Sequence, residues 1–108
     1  MQGTEKRNAD FHKIIKKLAN NQKIEALKSL LKELDPVEIA NSFIHLKLKH
    51  RLTVIGLLDV KKASDVISEL QEFEPILEEI VKQMTTQELG HLIEEMDIDD
   101  YAEVVGVL

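Results

Sequence analysis

A leucine or methionine stands at positions 34, 46, 58, 70, 84, 96 and 108, so an apolar residue recurs at intervals of 12, 12, 12, 14, 12 and 12. A period of this kind marks a repeat architecture, in which each unit is too short to bury an apolar face by itself and must stack on its neighbours. Twelve residues hold about nine or ten residues of helix, at roughly 1.5 Å rise each, plus a tight turn. The pattern predicts an all-α chain of about eight short helices wound into a superhelix.

The junctions carry the matching stop and start signals. A first helix is expected from about Asp10 to Ala19, with Phe11, Ile14, Ile15 and Leu18 on one side, and Asn20-Asn21 ends it. A second carries Ile24, Leu27, Leu30, Leu31 and Leu34. Asp35-Pro36-Val37-Glu38 then reads as an N-cap, a proline in the first helical position and a capping-box glutamate. The helix it opens should bury Ile39, Ala40, Phe43 and Ile44. A fourth helix opening near His50 carries Leu52, Ile55 and Leu58, and Asp59 caps a fifth with Ala63, Val66, Ile67 and Leu70. The 14-residue interval predicts that Gln71 to Phe73 loops out before Glu74-Pro75 opens a helix with Ile76, Leu77, Ile80, Val81 and Met84. Thr85 and Glu88 form a second capping box ahead of Leu89, Leu92, Ile93 and Met96, and Asp97 caps a last helix with Tyr101, Ala102, Val105 and Leu108. That last repeat closes on Val104, Val105, Val107 and Leu108, whereas a solenoid end needs a polar capping face. The chain is therefore expected to be a domain of a longer protein, or to be covered there by a partner.

At 108 residues one domain is expected. Only Phe11, Phe43, Phe73 and Tyr101 are aromatic, so aliphatic side chains must fill the interior. With no cysteine, disulfides and cysteine zinc sites are excluded. The N-terminus lacks the apolar core of a signal peptide, and no run approaches the ~20 apolar residues of a transmembrane helix, so the chain is expected to be soluble. The four histidines fall on different repeats without HExxH spacing, and neither a nucleophile elbow nor a glycine-rich phosphate loop is present. No catalytic set emerges, and the expectation is a protein that is not an enzyme.

Charge divides the chain. Residues 1–62 carry 13 Lys/Arg against 7 Asp/Glu, a balance of +6, while residues 63–108 carry 1 against 13, a balance of −12. The lysines of the basic half are spread along amphipathic helices without an aromatic or glycine-rich nucleic-acid signature, and they read as a solvated face with no nucleic-acid partner. The acidic half is more informative. After Lys82 there are 26 residues without a lysine or arginine, among them Glu94, Glu95, Asp97, Asp99, Asp100 and Glu103. A helix N-terminus favours the carboxylates of Asp97, Asp99 and Asp100, but Glu94 and Glu95 end the preceding helix, where the dipole disfavours them. Asp99 and Glu103 are four apart and repel on one helix face. A hard divalent cation relieves that repulsion, and magnesium is commonly held by one or two carboxylates with several retained waters. From composition alone, a merely solvated acidic surface remains the weightier reading.

Three stretches give the chain a family likeness: Leu-Asp-Pro-Val-Glu-Ile-Ala at 34–40, Leu-Leu-Asp-Val-Lys-Lys-Ala-Ser-Asp-Val-Ile at 57–67, and Leu-Ile-Glu-Glu-Met-Asp-Ile-Asp-Asp-Tyr-Ala-Glu-Val at 92–104. In order and spacing they resemble the cytoplasmic N-terminal domain of the MgtE family of magnesium channels and transporters, over residues 34–108. Residues 1–33, the basic amphipathic helices, resemble it only loosely. The resemblance implies a right-handed superhelix on the cytoplasmic face of the membrane, followed in the longer protein by CBS domains and a pore. It implies a sensor of cytosolic magnesium, in which ions bridge this domain to the CBS domains and favour the closed pore. The implied metal ligands are Asp99, Glu103 and Asp65, with Asp100 and Glu95 as secondary candidates. Glu103 stands where aspartate is common and reaches one methylene further; Ser64 stands where alanine is common, a change read as inconsequential. Because half of each shared site lies on the CBS domains, magnesium binding by this domain alone is expected to be weak. The competing reading is a helical-repeat interaction scaffold, of the kind found in the flagellar rotor switch.

Overall fold

In the computed structural model, residues 2–106 are described along the backbone and residues 11–106 also in their side chains. Among the described residues eight α-helices succeed one another: α1 (Gln2–Asn20), α2 (Ile24–Glu33), α3 (Pro36–Phe43), α4 (Leu48–Leu57), α5 (Val60–Glu69), α6 (Glu74–Lys82), α7 (Thr86–Glu94) and α8 (Ile98–Gly106). There is no strand among the described residues.

The twelve-residue period is the period of the helix junction. The N–H groups of Leu34, Leu46, Leu58, Met84 and Met96 each donate to the carbonyl three residues back, at 3.0–3.4 Å, which closes the last turn of a helix. The residue after four of these is the next N-cap: Asp35, Lys47, Asp59 and Thr85 all adopt extended backbone, with ψ of 156°, 159°, 163° and 160°. One apolar residue thus turns inward as one helix ends, and the next residue restarts the chain. Asp59 Oδ1 accepts from the Lys62 N–H at 2.8 Å. Thr85 and Glu88 form the full reciprocal box at 3.0 and 2.9 Å, and Glu38 Oε1 accepts from the Asp35 N–H at 2.9 Å. In the 14-residue interval the extra residues do not loop out as expected. They wind into a short 3-10 turn, Leu70–Glu72, which keeps Leu70 fully buried.

Between α1 and α2 the chain ends its helix in a Schellman arrangement. Lys23 N–H donates to the Leu18 carbonyl at 2.9 Å, Gln22 N–H donates to the Ala19 carbonyl at 3.1 Å, and Gln22 carries a left-handed φ of 55°. Helix α1 begins at Gln2 rather than near Asp10, because no proline or turn pair interrupts residues 2–10.

The helices stack in alternation. Contacts run from α1 to α3, α3 to α5 and α5 to α7 on one side, with α4 against α6 and α1, an order consistent with a superhelix of helix pairs. The core follows this axis through Ile15, Leu27, Leu31, Ile39, Phe43, Val54, Val66, Ile67, Leu77 and Ile80, all at 0–1 % exposure. Burying each such side chain contributes about 1.5–3 kcal/mol. Side-chain links from α4 and α5 are among those that fasten repeats to one another. Ser64 Oγ donates to the Leu92 carbonyl at 3.1 Å, joining α5 to α7. Lys62 Nζ donates to the Leu31 carbonyl at 2.7 Å, placing a cation on the carbonyl end of α2. Arg51 Nε donates to the Phe43 carbonyl at 2.9 Å while its guanidinium faces Glu79 at 3.6 Å.

Several expected core positions are corrected. Ile44 is 46 % exposed, because α3 ends at Phe43 and its last turn rotates Ile44 outward. Ile14 and Ile24 are likewise exposed at the edges of their stripes. Helix α4 opens at Leu48, and its buried residues are His50 and Val54, whereas Leu52, Ile55 and Leu58 are only half-buried. They line an open groove of about 300 Å³ shared with Ala63, Met84 and Leu92. On α8 the buried residue is Val104; Tyr101, Ala102 and Val105 face outward, and Leu108 lies outside the described residues.

Candidate metal-sensing face

Two helices and one junction carry the candidate carboxylates. Asp65 lies in the middle of α5, on the turn after Lys61, whose ammonium it accepts at 3.2 Å. The hydrogen bond to Asp65 and then its charge raise the Lys61 pKa above the ordinary value, and the carboxylates of Glu95 and Asp97 add to the effect. The Lys61 ammonium therefore stands in the field of three carboxylates, two of them from the α7–α8 junction. In sequence this acidic cluster has no cation after Lys82; in space α5 supplies one. Packing of α5 on α7 is what brings it there.

Glu95 ends α7 as its C-cap, exposed, and its N–H donates to the Leu92 carbonyl at 3.1 Å. Asp97 begins the next helix, its carbonyl accepting from the Tyr101 N–H at 2.9 Å. Asp99 and Glu103 are both exposed on α8, one turn apart and so on the same face. Asp100 differs from them. It is half-buried, and its Oδ1 accepts from Gln71 Nε2 at 2.7 Å, which ties α8 to the 3-10 turn.

The structure therefore pairs Asp65 with Lys61, brings the charges of Glu95 and Asp97 to bear on that lysine, sets Asp99 and Glu103 as a pair on α8, and commits Asp100 to a structural bond. Among the described residues, no group of three or more His, Asp or Glu side chains is arranged to hold a metal ion. What the face offers is single carboxylates and pairs, open to solvent, able to supply one or two ligands each to an ion completed from outside. Sequence reasoning misses Lys61. Its only signal there is position, in the same Leu-Leu-Asp-Val-Lys-Lys-Ala-Ser-Asp-Val-Ile stretch as Asp65.

A family model described as the MgtE intracellular N domain matches residues 34–108. The chain belongs to the MgtE N domain family. The match starts at Leu34, the first periodic leucine, and runs through all the repeats, leaving α1 and α2 before it. As an MgtE N domain it is part of a magnesium-transporter family rather than an enzyme family, and none of its described helices is long and apolar enough to cross a membrane. No match was found among curated proteins or among solved structures.

Proposed function

We propose that this MgtE N domain senses cytosolic magnesium: ions bridge its exposed carboxylates to CBS domains of the same polypeptide and so favour a closed pore. The observation that carries the reading is the family match over residues 34–108, which contain every candidate ligand. The electrostatics support it. Asp99 and Glu103 repel across one turn, and neither takes part in the ion pairs Arg51–Glu79, Lys61–Asp65 and Lys82–Glu78. A divalent ion shared with a facing acidic surface lowers the energy of both. In this reading Asp65, whose Oδ1 accepts from Lys61, joins through its second oxygen or by exchanging Lys61 for the ion. In the ion-free state the balance of −12 over residues 63–108 repels any acidic neighbour, which releases the domain. The domain itself neither conducts nor catalyses; it biases an equilibrium by its differential affinity for ions in the docked and free states.

The test is limited proteolysis of the full-length transporter over a magnesium titration. Magnesium is expected to protect the domain and the segment joining it to the CBS domains, with a chelator reversing the protection. Cleavage that is indifferent to magnesium and to chelator would remove the sensor reading and leave a metal-independent interaction scaffold.

A further inference from the structure

Two stretches of the chain contain no carboxylate, residues 11–24 and 39–58. The first carries Lys13, Lys16, Lys17 and Lys23, and the second Lys47, Lys49 and Arg51. The fold lays one on the other, since α1 packs against α3 and α4. The His12 ring of α1 stacks on His45 with ring centroids 4.2 Å apart, and His50 Nε2 of α4 donates to Asn20 Oδ1 at 3.0 Å. Lysines about thirty places apart in sequence thereby meet. After burial, the charges of Lys49, Lys47 and Lys16 are what lower the His50 pKa.

These lysines face outward. At 3.6 residues per turn Lys13, Lys16 and Lys17 share an arc of about 100°, centred opposite the buried Phe11 and Ile15. With His12, Asn20 and Asn21 they line a shallow, open depression. Lys47 and Lys49 are exposed where the adjoining helix α4 begins. Arg51 is held by the Phe43 carbonyl and Glu79, but among the described residues none of these five lysine ammoniums has an ion pair or a hydrogen bond. Like charges gathered without a counter-charge repel, and a negative surface laid against them relieves that repulsion.

We propose that Lys13, Lys16, Lys17, Lys47 and Lys49 dock this domain on the anionic phospholipid headgroups of the membrane. This rests on reading the chain as part of a magnesium transporter, which tethers it beside a bilayer. A cytoplasmic leaflet presents a broad negative field, and lysine, a point charge without the bidentate geometry of arginine, suits such a field. The unpaired cations of the patch are all lysines, with no aromatic platform or glycine-rich loop to mark nucleic acid. The acidic end responds in the opposite sense. The leaflet repels the carboxylates of the α7–α8 junction, with α3 and α5 stacked between α1 and α7, and so turns the metal-sensing face away from the bilayer. At about 0.15 M salt the Debye length of roughly 8 Å is well below the 34 Å long dimension of the molecule, so the two ends act on the leaflet separately.

The test is co-sedimentation of the 108-residue chain with phospholipid vesicles at about 0.1 M salt, with a chelator present to remove divalent ions. Vesicles containing about 30 % phosphatidylglycerol are expected to bind half of the chain at about 1 mM lipid, and pure phosphatidylcholine vesicles none. Raising the salt to about 1 M, where the Debye length is roughly 3 Å, is expected to release it. Lys16→Gln with Lys47→Gln is expected to lower the partition coefficient roughly 20-fold, since each lysine near an anionic surface contributes about fivefold. Lys28→Gln with Lys32→Gln removes the same charge beside Leu57, at the other end of α4, and is expected to change it less than about twofold. All four lysines are exposed, and circular dichroism checks that each variant is folded. Magnesium-dependent protease protection of the full-length transporter is a separate measurement, so the docking surface and the sensor reading fail independently. Equal binding to neutral vesicles, no binding to the anionic ones, equal losses in the two double variants, or binding to short duplex DNA in place of vesicles would each overturn the proposal.

Discussion

Ser64 is 1 % exposed, and its hydroxyl donates to the Leu92 carbonyl across the α5–α7 contact. By sequence this serine reads as a neutral replacement for alanine, and the family resemblance supplies no reason to think otherwise. Burial changes that, since a hydroxyl enclosed in an aliphatic core is tolerated only when its donor is satisfied. Ser64→Ala is expected to lower stability by about 0.5–1.5 kcal/mol in urea unfolding. The loss is modest because the Leu92 carbonyl keeps the Glu95 N–H. Lys61 has the opposite character, exposed and electrostatic. If Asp65 joins the proposed ion bridge, the Lys61 ammonium competes with the ion for it, so Lys61→Ala is expected to shift the magnesium midpoint of protease protection to lower concentration, by roughly two- to fivefold. An unchanged midpoint would assign the Lys61–Asp65 pair to the helix surface alone. His50 adds a pH dependence. Nε2 lies 3.0 Å from Asn20 Oδ1, which can only accept, so the neutral ring carries its proton there. Burial first, then Lys49, Lys47 and Lys16, lower its pKa from the ordinary value. The unfolded chain then binds a proton more readily than the folded one. His50 therefore leaves stability intact above about pH 6.5 and erodes it as pH falls below that value. Urea midpoints at pH 7.5 and 5.5 should differ more in the wild type than in His50→Gln.

At the scale of the element, the junction is the repeating part and the helix is what varies. The periodic positions 34, 46 and 70 are buried, whereas Leu58 and Met84 are half-buried along the groove beside α4. The period marks where the chain turns, because the turn needs an inward apolar residue, but it does not grade how deeply that residue sits. Leu70→Ala is accordingly expected to cost about 2.7–5 kcal/mol, and Leu58→Ala clearly less, since its side chain already touches solvent in the groove. Equal losses in the two denaturation midpoints would contradict the burial difference. The last helix shows the limit of pattern reading more sharply. Tyr101 and Val105 have the same helical spacing to their neighbours as Val104 does, so periodicity alone leaves the buried face undecided. The bond from Gln71 to Asp100 and the burial of Val104 settle the rotation of α8, and both are long-range.

For the whole molecule, the charge division becomes a division in space, with lysines on the first helices and carboxylates on the last. If magnesium bridges this domain as proposed, Asp99→Ala with Glu103→Ala in the full-length transporter removes ligands from the docked state and repulsion from the free state. The first effect should dominate at high magnesium, because screened repulsion between exposed groups amounts to only tenths of a kcal/mol each. The double variant is expected to stay conducting at magnesium concentrations that close the wild type, and to need more magnesium for protease protection of this domain. Identical magnesium dependence would mean that these two carboxylates are helix-start residues on a solvated face.

The sequence by itself determined the helical class, the twelve-residue spacing of the junctions and the caps at Asp35, Asp59 and Thr85, but not where α1 and α4 begin. These depend on residues within three or four places of one another: Asp59 with the Lys62 N–H, Thr85 with Glu88, each closing leucine with the carbonyl three back. It also located the acidic face, because composition survives folding. Only the tertiary structure decided which side of α4 and α8 is buried, that Ser64 joins two repeats, and that the charges of Glu95 and Asp97 act on Lys61. Each of these relates residues about thirty places apart, Ser64 to Leu92 and Lys61 to Glu95 and Asp97, whose approach is set by how helices stack and not by any local preference.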